Sequence, residues 1–209
     1  MHSIVIVDDH PAIRLAVRSV MEGSGQYRVV GEADNGPAAL ALIREVQPAL
    51  AILDLDLPKM SGLELIERVK VAQPGTKLLV LSAQQEGIFA TRALQAGANG
   101  FLSKSEGMNA IVQAAHTVLS GYSVFPSTAL AGPSSSTGAS GADLVKTLSD
   151  RELTVLQYLG RGMSNKEIGD ALLISNKTVS SYKTRLFEKL NISTLVELID
   201  FARANHLIT

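Results

Sequence analysis

Cysteine is absent from this 209-residue chain. Disulfides and thiolate metal sites are therefore excluded, and the absence fits a reducing compartment. Aromatic residues make up only 4% of the sequence, so a core must be built from Val, Ile, Leu and Ala. No apolar run approaches the roughly 18 residues of a membrane-crossing helix. The N-terminal MHSIVIVDDH has neither the charged leader nor the cleavage site of a secretory signal. A soluble, cytoplasmic protein with no membrane partner is expected. Net charge is also nearly absent, at −1, but this hides an asymmetry. Residues 1–125 carry 10 Lys/Arg against 12 Asp/Glu, and residues 126–209 carry 9 against 8. Within Ser175–Leu190 four basic residues (Lys177, Lys183, Arg185, Lys189) face one acidic residue, Glu188. A local basic stretch of that kind points to nucleic acid where the overall charge does not.

Two patterns divide the chain. Up to about residue 120, apolar strand runs (Ile4–Val7, Val29–Gly31, Leu50–Leu53, Leu78–Leu81, Phe101–Leu102) alternate with helical periodicity near Ala12–Met21, Pro37–Val46, Leu63–Ala72, Gly87–Ala96 and Met108–Leu119. Such alternation argues for a doubly wound α/β domain with a five-stranded parallel sheet. Near-continuous apolar strands such as LLVL agree, because they are buried on both faces. Gly36-Pro37 and Ser61-x-x-Glu64 mark helix starts. The stretch Pro126–Ala142, PSTALAGPSSSTGASGA, reads as a flexible linker. The division expected is 1–122, a linker over 123–145, and 146–209. The last part is a small all-α domain of four helices. Ser149-x-x-Glu152 and Ser164-x-x-Glu167 are capping boxes opening its first two helices. Ser175 would cap the third, Asn176–Leu190, and Ser193 or Thr194 the fourth, which ends near Ala204. Gly160 and Gly162 close the first. The short gap between the second and third helices is helix-turn-helix spacing.

The first domain ends its strands on chemistry. Asp8 and Asp9 follow the first apolar run, Asp54 the third, Ser82 the fourth and Lys104 the fifth. Carboxyl ends of parallel strands converge on one crevice, where ligands bind. A lone Asp after a strand is usually a cap, and a lone Lys there is usually solvated. Their joint occurrence makes a site for a divalent cation and a phosphoryl group. Mg²⁺ takes one or two carboxylates plus phosphate oxygens, and Asp54 is placed to be the nucleophile that forms an aspartyl phosphate.

VDDH at 7–10, LDLDLPKMSGLE at 53–64, LSA at 81–83 and GFLSK at 100–104 resemble the CheY-like, flavodoxin-like receiver domain of bacterial response regulators. The resemblance implies that Asp8 and Asp9 are the acidic metal pair and Asp54 the phosphoacceptor. It implies that the Asp56 carbonyl is a further Mg²⁺ ligand, and that Ser82, Phe101 and Lys104 are the switch hydroxyl, the switch aromatic and the family's lysine. On phosphorylation Ser82 would move toward the phosphoryl group and Phe101 would turn inward. Asp56 and Gln84 match positions that tune dephosphorylation. Many receivers have proline after the lysine, where this chain has Ser105.

LSDRELTVLQYLGRGMSNKEIGDALLISNKTVSSYKTRLFEKLNIS resembles the LuxR-type helix-turn-helix. With the receiver, it identifies a NarL/FixJ-class two-component response regulator, and its ISNKTVSSYKTRLFEKLN tract is especially similar to that of the BvgA/EvgA regulators. A recognition helix needs small polar residues near base edges and basic residues near phosphates. Ser180, Ser181 and Thr184 are expected at bases, and Lys166, Lys177, Tyr182, Lys183 and Arg185 at phosphates. The implied partners are a sensor histidine kinase, double-stranded DNA, RNA polymerase and, once phosphorylated, a second copy of the chain. The fourth helix offers Leu195, Leu198, Ile199 and Ala202 at helical spacing, a core face by default, and the LuxR-type resemblance adds dimer contacts as a second role.

The function expected is thus phosphorylation-dependent transcription regulation rather than enzymatic turnover. Two other readings fit parts of the pattern. Asp54-x-Asp56 also resembles the start of haloacid-dehalogenase-like phosphatases, but that family places its further acids late in the chain, whereas Asp8-Asp9 comes first. A phosphorylation-independent DNA-binding regulator would leave the acidic set without a role.

Overall fold

The structure, a computed structural model, describes residues 1–83, 86–130, 144–145, 147–205 and 207–208. The chain divides into two compact units, Met1–Gly132 and Pro133–Thr209.

The first unit is a parallel sheet of β1 (His2–Val7), β2 (Tyr27–Ala33), β3 (Leu50–Leu53), β4 (Lys77–Ser82) and β5 (Gly100–Ser103), in the order β2-β1-β3-β4-β5. Five helices connect and follow the strands: α1 (Pro11–Gly23), α2 (Gly36–Val46), α3 (Gly62–Ala72), α4 (Glu86–Ala96) and α5 (Met108–Leu119). Alternate strand residues face opposite layers. Ile4, Ile6, Leu50, Ile52, Leu79 and Leu81 pack with Val17 and Met21 of α1 and with Ile111, Ala114, Ala115 and Val118 of α5. Their i, i+3, i+4, i+7 spacing on α5 makes the single apolar stripe that such a layer needs. Val5, Val7, Ala51, Leu53, Leu78 and Val80 are also buried, on the face served by α2, α3 and α4, which pack side by side. Each large side chain so buried contributes about 1.5–3 kcal/mol.

Local chemistry fixes the helix ends. Asn35 caps α2 by accepting from the Ala38 N–H at 3.0 Å, with Pro37 in the first turn. Ser61 accepts from the Glu64 N–H at 3.2 Å. The reciprocal arm of the expected capping box is diverted, because Glu64 pairs with Arg68 at 2.6 Å. Gly62 is required by close packing: a β-carbon there would run into the Asp54 carbonyl oxygen and the Leu55 Cα. The absence of a side chain thus lets α3 start hard against the loop that carries Asp54.

The stretch expected as a flexible linker is more tightly held at both ends. Val124 N–H donates to the Asn99 carbonyl at 3.1 Å, and the Phe101 N–H donates to the Val124 carbonyl at 2.7 Å. Residue 124 thereby satisfies backbone groups at the free edge of β5. A single helical turn, α6 (Ser127–Leu130), lies against α4 with Ala129 buried. At the other end Val145 and Leu148 are buried. Residues 131–143 lie outside the described residues, as does Gln84.

The second unit contains α7 (Asp150–Gly160), α8 (Asn165–Leu172), α9 (Asn176–Leu190) and α10 (Leu195–Ala204). Ser149, Ser164 and Thr194 each form a complete capping box, with Glu152, Glu167 and Glu197 respectively. Ser175 caps α9 through the Thr178 N–H at 3.0 Å. Its core is aliphatic: Leu153, Leu156, Ile168, Leu172, Val179, Leu186, Leu190 and Leu198 are buried. Leu173, at φ 52°, and Ile174 make the turn between α8 and α9, with the Ile174 N–H returning to the Gly169 carbonyl at 2.9 Å. A β-carbon on Gly169 would stand 2.7 Å from the Ile174 carbonyl oxygen. The turn is therefore built around a glycine.

Candidate functional site

Adjacent strands β1 and β3 deliver the acids, and the edge strand β5 delivers the cation. The Asp54 N–H donates to the Val7 carbonyl at 2.9 Å, which continues the β1–β3 pairing into the site. Lys104 Nζ lies 2.6 Å from Asp54 Oδ2 and 2.7 Å from Asp8 Oδ2. The other oxygen of Asp54 accepts from the Leu55 N–H at 2.6 Å. Asp8, Asp9, His10 and Asp54 place ligand atoms within 4.8 Å of one another. Four of the expected residues, Asp8, Asp9, Asp54 and Lys104, thus meet in one pocket. The Asp56 side chain is half-buried and close enough for its charge to act on Asp54.

The electrostatics are those of charge confined in a poor solvent. Burial is the largest influence on Asp54 and raises its pKa; Lys104 opposes it, and Asp56 and Asp8 add to it, leaving a value of about 7. Burial alone would lower the pKa of Lys104, but Asp54 and Asp8 outweigh it and raise the value. Asp9 Oδ1 lies 2.6 Å from His10 Nδ1. The angle makes no hydrogen bond, so this buried oxygen receives none. An orphaned carboxylate oxygen beside two further carboxylates is a donor set suited to a hard divalent cation.

Two residues of this pocket have no role assigned from the sequence, although His10 closes the VDDH segment. His10 supplies the imidazole, and its backbone N–H donates to Asp8 Oδ1 at 2.9 Å. Arg14, on the first turn of α1, donates to the Asp8 carbonyl at 2.7 Å and pairs with Glu32 at 3.2 Å. It clamps the turn that presents the acidic pair. The only hint in the sequence is an arginine three residues after Pro11.

Ser82 ends β4, fully buried and in register with Ser103 of β5. Phe101 is paired with Val80 and is only 1% exposed. Phe101 is thus buried in this conformation. After Lys104, where Ser105 replaces the common proline, the chain enters a 3-10 turn over Lys104–Glu106. Ser103 and Glu106 cap this turn reciprocally.

On the second unit, α9 presents an exposed polar face. Lys177, Ser180, Ser181, Thr184 and Arg185 are exposed, as is Lys166 on α8, whereas Tyr182 and Lys183 are half-buried. Ser181 and Thr184 hydroxyls donate to the carbonyls of Lys177 and Ser180, at 3.0 and 3.1 Å. Their acceptor lone pairs are left facing out. The Arg185 guanidinium lies 5.9 Å from the Tyr182 ring centroid and Lys183 5.6 Å from that of Phe187. Asn165, not singled out in the sequence, donates to Ser180 Oγ at 3.1 Å and joins α8 to α9. Lys189, counted above in the basic stretch, is committed to structure: its Nζ pairs with buried Glu152 at 2.7 Å and donates to the Thr147 carbonyl at 3.1 Å.

A doubly wound sheet with an acidic pocket and a lysine at its strand ends, joined to a helix-turn-helix unit, defines the class of two-component response regulators. Comparison with known proteins agrees over nearly the whole chain. Residues 4–116 match the response regulator receiver domain, and residues 146–202 match the bacterial regulatory proteins of the luxR family. The chain is 48% identical over 207 residues to the Bordetella pertussis virulence-factor transcription regulator BvgA, covering 99% of each. It is 34% identical over 201 residues to the DNA-binding transcriptional activator EvgA of Escherichia coli K12, covering 96% of this chain and 97% of that one. A LuxR-family two-component response regulator from an Aurantimonas species is similar in structure. Its TM-score is 0.59 at 33% identity, covering 62% of this chain and 94% of that one. The chain belongs to the NarL/FixJ-class response regulators, which are DNA-binding transcription regulators of two-component systems. Receiver domains generally bind Mg²⁺ at an acidic pocket, and the residues present here fit that ion. Among the described residues no helix is long and apolar enough to cross a membrane.

Proposed function

We propose that Asp54 accepts a phosphoryl group from a sensor histidine kinase and that the resulting aspartyl phosphate switches the chain between DNA-binding states. The observation that carries this reading is the Lys104 ammonium held between Asp54 and Asp8 at 2.6 and 2.7 Å. A cation already seated on the acceptor carboxylate is placed to follow the charge onto the transferred oxygens. Asp8, Asp9, Asp54 and the Asp56 carbonyl would hold Mg²⁺, which supplies further positive charge at the phosphoryl oxygens when bound. Asp54 attacks phosphorus, the bond to the donor breaks, and the Ser82 hydroxyl donates to a phosphoryl oxygen. Ser82 moves toward the phosphoryl group, and Phe101 is the aromatic partner in this switch.

In this reading residues 1–122 are the receiver, 123–145 the connection and 146–209 the DNA-binding domain. Lys166, Lys177, Tyr182, Lys183 and Arg185 neutralise phosphates, and Ser180, Ser181 and Thr184 face base edges. Phosphorylated chains pair as homodimers, which suits a two-fold operator; RNA polymerase is the downstream partner, and the site of action is the cytoplasm.

The test is incubation with Mg²⁺ and acetyl phosphate, read by intact mass and by footprinting on genomic fragments, beside Asp54→Ala. A gain of one phosphoryl group that Asp54→Ala loses, with tighter DNA binding, is expected. Absence of that gain, with DNA binding unchanged in Asp54→Ala, sinks the phosphorylation switch.

A further inference from the structure

The three hydroxyls on the outer face of α9 are not alike. Ser180, Ser181 and Thr184 are all exposed. With Lys177 they stand three and four residues apart, which makes one continuous strip of the helix surface. A hydroxyl has one hydrogen to give and two lone pairs to receive with. What it offers a partner depends on which of these the chain has already used.

Ser181 gives its hydrogen to the Lys177 carbonyl at 3.0 Å, and Thr184 gives its own to the Ser180 carbonyl at 3.1 Å. Both hydroxyls therefore turn only lone pairs outward. Ser180 is engaged the other way round. Its Oγ accepts from Asn165 Nδ2 at 3.1 Å, across the corner from α8. Among the described residues the Ser180 hydroxyl hydrogen has no acceptor. The strip thus presents one donor, from Ser180, and two acceptors, from Ser181 and Thr184.

We propose that this polarity sets which base edges α9 reads. Ser180 donates to an acceptor in the major groove: the outer ring nitrogen of a purine, or the exocyclic oxygen of guanine or thymine. Ser181 and Thr184 accept from the exocyclic amino group of adenine or cytosine. This rests on the placement of the three residues at base edges proposed above. Two acceptors brought face to face, or two donors, leave both without a bond. For Ser181 or Thr184 to donate instead, each would first give up the bond it makes to its own helix. Asn165 acts through Ser180, as a positioning residue that keeps the hydroxyl hydrogen free for DNA.

The experiment selects preferred duplexes from a randomised pool with the full-length protein, treated with Mg²⁺ and acetyl phosphate. Selection is repeated with Ser180→Ala, Ser181→Ala and Thr184→Ala, and the pair at which each variant loses its preference is the pair that residue reads. Base analogues lacking a single acceptor or a single amino group are then placed at that pair and binding is followed by anisotropy. At the pair read by Ser180, loss of the acceptor should weaken binding about five- to tenfold, and loss of the amino group should not. At the pairs read by Ser181 and Thr184 the dependence should be the reverse. Asn165→Asp is the second kind of variant. Its carboxylate only accepts, so it takes the Ser180 hydrogen and leaves lone pairs outward. An acid also suits the first turn of a helix, and thermal melting confirms the fold. The sensitivity at the Ser180 pair should then move from the acceptor to the amino group, whereas a loosened corner would weaken all duplexes alike. Ser180→Ala that changes preference nowhere removes Ser180 from the bases and takes the proposal with it. A preference that depends on the amino group in the native protein overturns the polarity while the base contact stands. So does an acceptor dependence that Asn165→Asp leaves in place.

Discussion

The Asp54 carboxyl is held near pH 7 by burial and by Asp56 and Asp8, against the pull of Lys104. Its value in the unfolded chain is near 3.8. A raised acid pKa means the folded state binds the proton that the unfolded state has released. Receiver stability should therefore fall as pH rises from about 4 to about 7. Asp54→Asn removes that charge, and calorimetry at pH 7.5 without divalent cations should show the receiver more stable by about 1–3 kcal/mol. A lower melting temperature for the variant would contradict this. Lys104→Met acts in the opposite direction. It leaves two buried carboxylates facing each other, and urea unfolding should report a loss of about 3–5 kcal/mol. A loss within error of zero would mean the ammonium is not what balances the pocket. At this scale the sequence was readable wherever a functional residue ends an apolar run, as Asp54 and Lys104 do. His10 and Arg14 were not, because their roles depend on the shape of one turn and on a helix face rather than on a strand end.

Helix limits were legible to within a residue or two, most clearly where Ser149, Ser164 and Ser175 cap them chemically. The strand β2 was less so: Arg28 and Glu32 interrupt its apolar run, as an edge strand permits, and it extends over Tyr27–Ala33 rather than Val29–Gly31. The tight helix-turn-helix corner rests on Gly169, which gave no signal because a glycine inside a helix reads as mere weakness. Gly169→Ala should push α8 away from the Ile174 carbonyl at a cost of about 1–3 kcal/mol. DNA affinity, measured by anisotropy, should fall more than the melting temperature suggests, since the corner aims α9. A variant that binds normally would show the corner to be slack. The buried Glu152 on α7 makes a second element-scale prediction. Burial raises its pKa, but Lys189 and Ser149 lower it more, so it lies below the ordinary 4.5. Its contribution is present above about pH 4.5 and is lost as pH falls through the depressed value. Acid titration of the second unit should show this loss, and Glu152→Gln should flatten it while removing about 1–3 kcal/mol at neutral pH.

At the scale of the whole molecule, the two units and their order were readable from the change of period, from strand–helix alternation to helices alone. The extent of the connection was not. Composition marks where large apolar residues stop, but it is blind to the backbone bonds that fasten Val124 to Asn99 and Phe101. Binding of the full chain to DNA should weaken linearly in log affinity against log salt. Lys177→Ala should reduce that slope by about 1 at every sequence tested, whereas Ser180→Ala should leave the slope and alter the preferred sequence. An unchanged slope for Lys177→Ala would remove that residue from the phosphate contacts.

The ammonium that joins Asp8 to Asp54 comes from the fifth strand, some fifty residues beyond the acid it serves. Synthesis proceeds from the N-terminus, so Asp8, Asp9 and Asp54 leave the ribosome before that lysine does. Until it does, the pocket lacks its countercharge and the sheet its last strand. The charge balance of the pocket is thus set late, on a nearly finished domain.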